Sequence, residues 1–175
     1  MPPRPRFARG SGELDLSLDT GPEWTRVLAA LSELDATAGD RVARRLREAA
    51  LPVVGQVKSN ALRLPALRGK HTGLRARVAE GVTVQPRLAP VAGLRIITTM
   101  REPDEAALPR GLDTRGGWRH PLYGDRRHWF RNPGYSWFRE PIMDARPLFD
   151  RAAAEAIEEE VNRAARAGTR MGGLL

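Results

Sequence analysis

The feature that most constrains this fold is an apolar stripe through residues 40–64. Val42, Leu46, Ala49, Val53, Val57, Ala61 and Leu64 recur at steps of three or four residues, which puts them on one face of an α-helix about seven turns long. Such a helix hides one side only, so a second layer must cover the stripe. Asp40, just ahead of the run, is a plausible N-cap. Pro52 falls inside it. Proline has no N–H and its ring crowds the preceding turn, so the helix either kinks there or two helices abut.

The covering layer is legible in part. Glu13 to Asp19 alternates Leu14, Leu16 and Leu18 with polar residues, the period of a half-buried strand, at an edge or donated to a neighbour. Glu23 to Leu34 reads as a short helix with Trp24, Val27, Leu28 and Leu31 on one face. Leu74 to Ala79 reads as another, ended at Gly81. Val82 to Gln85 and Leu94 to Met100 are rich in β-formers and suggest a hairpin, separated by Pro86 and by Pro90 to Gly93. A final helix is expected from near Pro141 to Ala167, with a stripe of Ile142, Ala145, Phe149, Ala153, Ile157 and Val161. Pro147 should bend its first turns, Glu159 and Arg163 can pair across one turn, and Gly168 should cap its end. The expected class is α+β: a small, mainly antiparallel sheet between about Val82 and Arg131, packed by the long Pro-kinked helix and the C-terminal helix, with an extended N-terminal arm.

With 175 residues, one domain with a real core is the expected organisation. It should run over residues 20–168, preceded by an arm at 1–19 and followed by a fraying tail at 169–175. The first dozen residues, the loop Arg63 to Thr72 and the irregular stretch Pro103 to Gly111 are too rich in Pro, Gly and charge to order themselves and are expected to contact neighbouring molecules. No run of about 18 apolar residues spans a membrane, and MPPRPRFARG lacks the apolar core of a signal peptide. Without cysteine, disulfides, thiol catalysis and Cys-ligated zinc are excluded.

The net charge of +8 would ordinarily point to nucleic acid. Nearly all of it is arginine, in a chain also rich in Ala, Gly and Pro, the composition that a GC-rich coding sequence produces. The charge is therefore equally consistent with a solvated face or an acidic protein partner. Catalysis finds no support. His120 and His128 lack a third metal ligand at a recognisable spacing and sit among arginines, His71 lies in a loop, and Ser136 has no nucleophile-elbow context. No catalytic, metal or cofactor-binding residue is assigned, and no cofactor is expected.

The chain has concentrated its rings instead. Only 6% of its residues are aromatic, yet Gly117 to Phe138 holds three of the four Trp, both Tyr and two of the four Phe, among Arg119, Arg126, Arg127 and Arg131. Large rings interleaved with Arg, Pro and Gly suit a docking surface held by tight turns. Trp118, Trp129, Trp137 and Phe138 are the expected buried anchors. Arg119, Tyr123, Arg126, Arg127 and Arg131 are the expected protein-contact residues.

The order of these features resembles the neck or tail-completion protein family of long-tailed bacteriophages. The resemblance covers roughly Asp40 to Ala167 and is carried by the Pro-kinked RVARRLREAALPVVGQVKSNAL, GLRARVAEGVTVQ, a strand ending in Thr-Met, LPRGLDTRGGWRHPLYG, RRHWF and SWFREPI. Trp118 to Gly124 followed by Trp137-Phe138 is its most specific part. It implies a non-enzymatic virion subunit at the head–tail junction or the top of the tail, made in the host cytoplasm. It implies a homomeric ring of roughly six copies, with roughly twelve the alternative. The ring would contact a connector protein on one side and a tail-tube or tail-terminator protein on the other. DNA would pass through the lumen without sequence specificity, and no membrane is involved. The alternative from the residues alone is a non-viral, Arg-rich nucleic-acid-binding protein.

Overall fold

The computed structural model describes residues 14–65, 73–88, 90–122 and 125–172. In chain order the elements are strand β1 (Leu14–Asp19), helices α1 (Pro22–Leu34), α2 (Ala38–Leu62) and α3 (Leu74–Glu80), and strands β2 (Val82–Arg87) and β3 (Gly93–Thr98). A short helix α4 (Leu108–Leu112), strands β4 (Trp118–Leu122) and β5 (Asp125–Asn132), and helices α5 (Arg139–Asp144) and α6 (Arg146–Gly172) follow. The fold is α+β.

The strands form two sheets where one was expected. The first is antiparallel in the order β1-β3-β2; the second is the hairpin β4-β5 alone. The Leu14–Asp19 alternation is an edge strand of the chain's own sheet, with Leu14 opposite Thr98 and Asp19 opposite Gly93. Its leucines face inward and are buried while Asp15, Ser17 and Asp19 are half-exposed on the outer face. β2 continues through Pro86 to Arg87. The bond from the Thr99 N–H to the Gly81 carbonyl extends the ladder and fixes its phase: Thr83, Gln85 and Arg87 exchange bonds with β3, and Pro86 faces the open edge. There its missing N–H costs nothing.

Gly93 sits between Asp19 and Arg87, opposite both. Having no side chain, it lets Arg87 reach across the central strand to an ion pair with Asp19. An added Cβ would lie 2.2 Å from the Leu18 carbonyl oxygen, so the strands can close only over glycine here.

α2 runs unbroken through Pro52 as a single helix. It packs against α6, α3 and β2. Leu46 and Val53 of its stripe share one core cluster with Phe149 and Ile157 of α6, the three β1 leucines, Val82, Leu94 and Ile96. The C-terminal segment departs from expectation in four ways. It is two helices, α5 and α6, broken at Ala145, with Pro147 in the first turn of the second. It does not stop at Gly168, which faces open space, but continues to Gly172. Val161 is exposed. Glu159 pairs with Arg45 of α2, and Arg163 with Glu160.

The Pro103 to Gly111 stretch, expected to be unstructured alone, contains a 3₁₀ turn at Pro103–Glu105 and most of α4. Arg77 of α3 holds the turn through a forked contact with Glu105. Residues 1–13 and 66–72 lie outside the described residues, as does the end of the tail.

Candidate functional site

The aromatic segment splits into a base fixed to the body and a hairpin that extends from it. At the base, Trp137 and Phe138 are fully buried, 1% and 0% exposed, and their rings meet edge to face with centroids 5.5 Å apart. The Trp137 indole N–H is buried without a partner, so packing alone holds this ring. Trp118 opens β4, half-buried, with its ring directly over Gly111 of α4. A Cβ at Gly111 would lie 2.4 Å from that ring.

One carboxylate ties these parts together. Asp113, just after α4, accepts the Phe138 N–H at 2.8 Å and more weakly that of Arg139, at the start of α5. The Tyr135 N–H bonds the Leu112 carbonyl nearby. Both strands of the hairpin are therefore fastened where they enter and leave it. Burial pushes the Asp113 carboxyl above its ordinary value, and the backbone N–H donors hold it back only in part. Asp113 carries no sequence motif, and the charge pattern of LPRGLDTRGG gives no sign that its partner is 25 residues on.

Beyond the base, β4 and β5 pair with each other, Trp118 opposite Asn132 and Arg119 opposite Arg131. Among the described elements neither strand packs extensively against the helices or the other sheet. Trp129 is the main correction to the sequence reading. It is 51% exposed, because it lies on a two-stranded sheet over which no layer of described residues packs. The anchor role falls to Trp137, Phe138 and, in part, Trp118. Arg127, His128 and Arg131 are exposed beside it. The Arg119 guanidinium lies over the Trp129 ring, 5.8 Å from its centroid, a cation–π contact worth about 0.5–1 kcal/mol at an exposed site. Arg131 also donates to the Gly116 carbonyl at 2.9 Å. Tyr123 and the Arg126 and His120 side chains fall outside the described residues.

Arg119, Trp129 and Arg131 thus share one face, and among the described residues neither arginine pairs with an acidic side chain. Like charges opposite one another on a sheet repel. A carboxylate placed between two such guanidinium groups would relieve that repulsion.

Among the described residues no cluster of three potential metal ligands occurs, and no helix is long and apolar enough to cross a membrane. An apolar depression of about 260 Å³ lies where α1, the start of α2 and α6 meet, lined by Leu31, Leu34, Ala38 and Ala164 around the Arg41–Glu160 pair. Arg41 bonds Glu160, 4% exposed, and Asp35 together. This is a clasp between the α1–α2 junction and α6, and it holds Glu160 below its usual carboxylate range. Compared with known proteins, the chain matches no family model, no curated sequence and no solved structure.

Proposed function

We propose that this chain is a non-enzymatic structural subunit of a bacteriophage head–tail junction, assembling into a homomeric ring that joins a connector to the tail and lets DNA pass. The observation that carries the reading is the hairpin, which is anchored at its base by Trp137, Phe138 and Asp113 and offers an exposed Arg–Trp face beyond it. A fixed base with a contact-ready face is what ring closure needs, since closure depends on a constant angle between two different patches. The motif resemblance over Asp40 to Ala167 supplies the setting in the virion.

A second reading, a non-viral nucleic-acid-binding protein, draws on the same Trp129 and arginines, because bases stack on exposed rings between cations. Electron microscopy of the purified chain, and of particles carrying it, separates the two. The expected outcome is a ring, found at the junction between head and tail. A monomer at all concentrations that binds DNA tightly and loses it with salt, and that has no place in a particle, sinks the assembly reading.

A further inference from the structure

Two exposed helix rows match each other in charge and spacing, and we propose that α2 of one copy packs parallel to α6 of the next as the ring-forming contact. The inference rests on the ring reading above and names its contact.

Each row is left over from the packing of one copy. α2 turns Leu46 and Val53 into the core. On its other side Arg44, Arg47 and Leu51 stand exposed at steps of three and four residues, one line along the helix. α6 turns Phe149 and Ile157 into the same core and leaves Glu155, Glu158 and Val161 exposed at steps of three. Leu51 is 57% exposed and Val161 44%. Among the described residues, none of Arg44, Arg47, Glu155 and Glu158 belongs to an ion pair. Two charges of one sign and an apolar side chain one turn further on are thus offered by each helix, and the signs are opposite.

Charge selects the occupant. Two α2 rows brought together, or two α6 rows, would set like charges against each other. An α2 row against an α6 row does not. Spacing then selects the direction. Laid parallel, α2 sets Arg44 beside Glu155 and Arg47 beside Glu158, each pair of positions about 4.5 Å apart along its helix, and brings Leu51 beside Val161. One turn on, Gly55 meets Ala165; both are small and exposed, and Gly55 faces open space, so the helix axes can approach closely there. Laid antiparallel, the same two ion pairs would put Arg151 on Leu51 and Arg41 on Val161.

Within one chain the two helices run in opposite directions, with Arg41 at Glu160 and Arg45 at Glu159. The parallel match therefore forms only between copies. Because the two rows are different surfaces, the contact is head-to-tail and propagates around an axis.

The test exchanges the charges. Arg44→Glu with Arg47→Glu makes one full-length variant, acidic on both rows; Glu155→Arg with Glu158→Arg makes a second, basic on both. Each alone should raise the half-assembly concentration at least about tenfold, while its monomer melts like the wild-type monomer. Mixed in equal amounts they should assemble again, because every acidic row now meets a basic one. Leu51→Cys and Val161→Cys, made separately in a chain without native cysteine, should give a disulfide-linked dimer under mild oxidation when mixed, and neither should give it alone. Undisturbed assembly of the charge variants, no rescue in their mixture while both stay folded, or wild-type rings with no cross-link from the cysteine mixture each overturn the contact and leave the ring. Leu51→Cys chains that cross-link by themselves mean that α2 pairs with α2, and overturn it too. A wild-type chain that never leaves the monomer overturns the ring and this contact together.

Discussion

Trp137 and Trp129 are eight residues apart in one aromatic run, yet one is 1% exposed and the other 51%. Trp137 belongs to the helical body, where α2, α5 and α6 converge with the sheet around one core. Trp129 belongs to a hairpin that, among the described residues, has no third strand and no helix packed extensively over it. A large ring becomes core only where a second layer exists to receive it. Two strands alone cannot bury a face, so the same residue type acts as a wedge in one region and as a contact surface in the other.

The sharpest way to break this comparison is to truncate both rings. Trp137→Ala removes a fully buried indole and should cost about 3–5 kcal/mol, enough to unfold a domain of ordinary stability. Trp129→Ala gives up only a partly exposed ring and its Arg119 contact, and should cost less than about 1 kcal/mol. Urea denaturation of both variants decides the matter. Equal losses would mean that the hairpin is part of the core.

The next effect belongs to the sheet. Gly93→Ala places a methyl against the Leu18 carbonyl, forcing β1 away from β3 and stretching the Asp19–Arg87 bridge. A loss of roughly 1–3 kcal/mol is expected, with exchange of β1 amides rising before that of the hairpin. If the hairpin amides respond equally, the two regions unfold as one unit.

What the sequence made legible follows the same division. The stripes of α2 and α6 and the alternation of β1 are periodic, and period survives without knowledge of the partner. The pairing of β1 with β3, some 80 residues away, has no local trace, and neither does the separation of the strands into two sheets. The Pro and Gly of the aromatic segment announce tight turns, but burial is decided by what lies above a face, and over Trp129 no described strand or helix packs extensively. The break at Ala145 and the run past Gly168 were missed for a related reason. Propensity places helix ends within a few residues, and packing settles the rest.

At the boundary between the regions stands Asp113. Asp113→Ala should leave the Phe138 and Arg139 N–H groups unpaired and cost about 1–2 kcal/mol. Asp113→Asn keeps the acceptor, removes a buried charge, and should cost much less. Amide exchange at Phe138 reports the difference, and equal behaviour of the two variants would mean that Asp113 does not tether the hairpin.

The smallest effect is the most selective, because acid should act on the two regions with opposite sign. Glu160 is held below its ordinary value of 4.5, chiefly by the hydrogen bond from Arg41. It contributes stability that is complete above pH 4.5 and lost as pH falls below that toward its folded value. Asp113 is held above 3.8, chiefly by burial, so its ionised form is disfavoured in the fold and protonation between its raised value and pH 3.8 relieves that cost. Lowering the pH from 7 should therefore loosen the clasp between α1, α2 and α6 while the base of the hairpin holds or tightens. Amide exchange followed region by region from pH 6 to pH 3, corrected for intrinsic rates, reads both. Glu160→Gln should flatten the response of α6 and leave Phe138 unchanged; a shift at Phe138 in that variant would show that the clasp and the hairpin base are coupled after all.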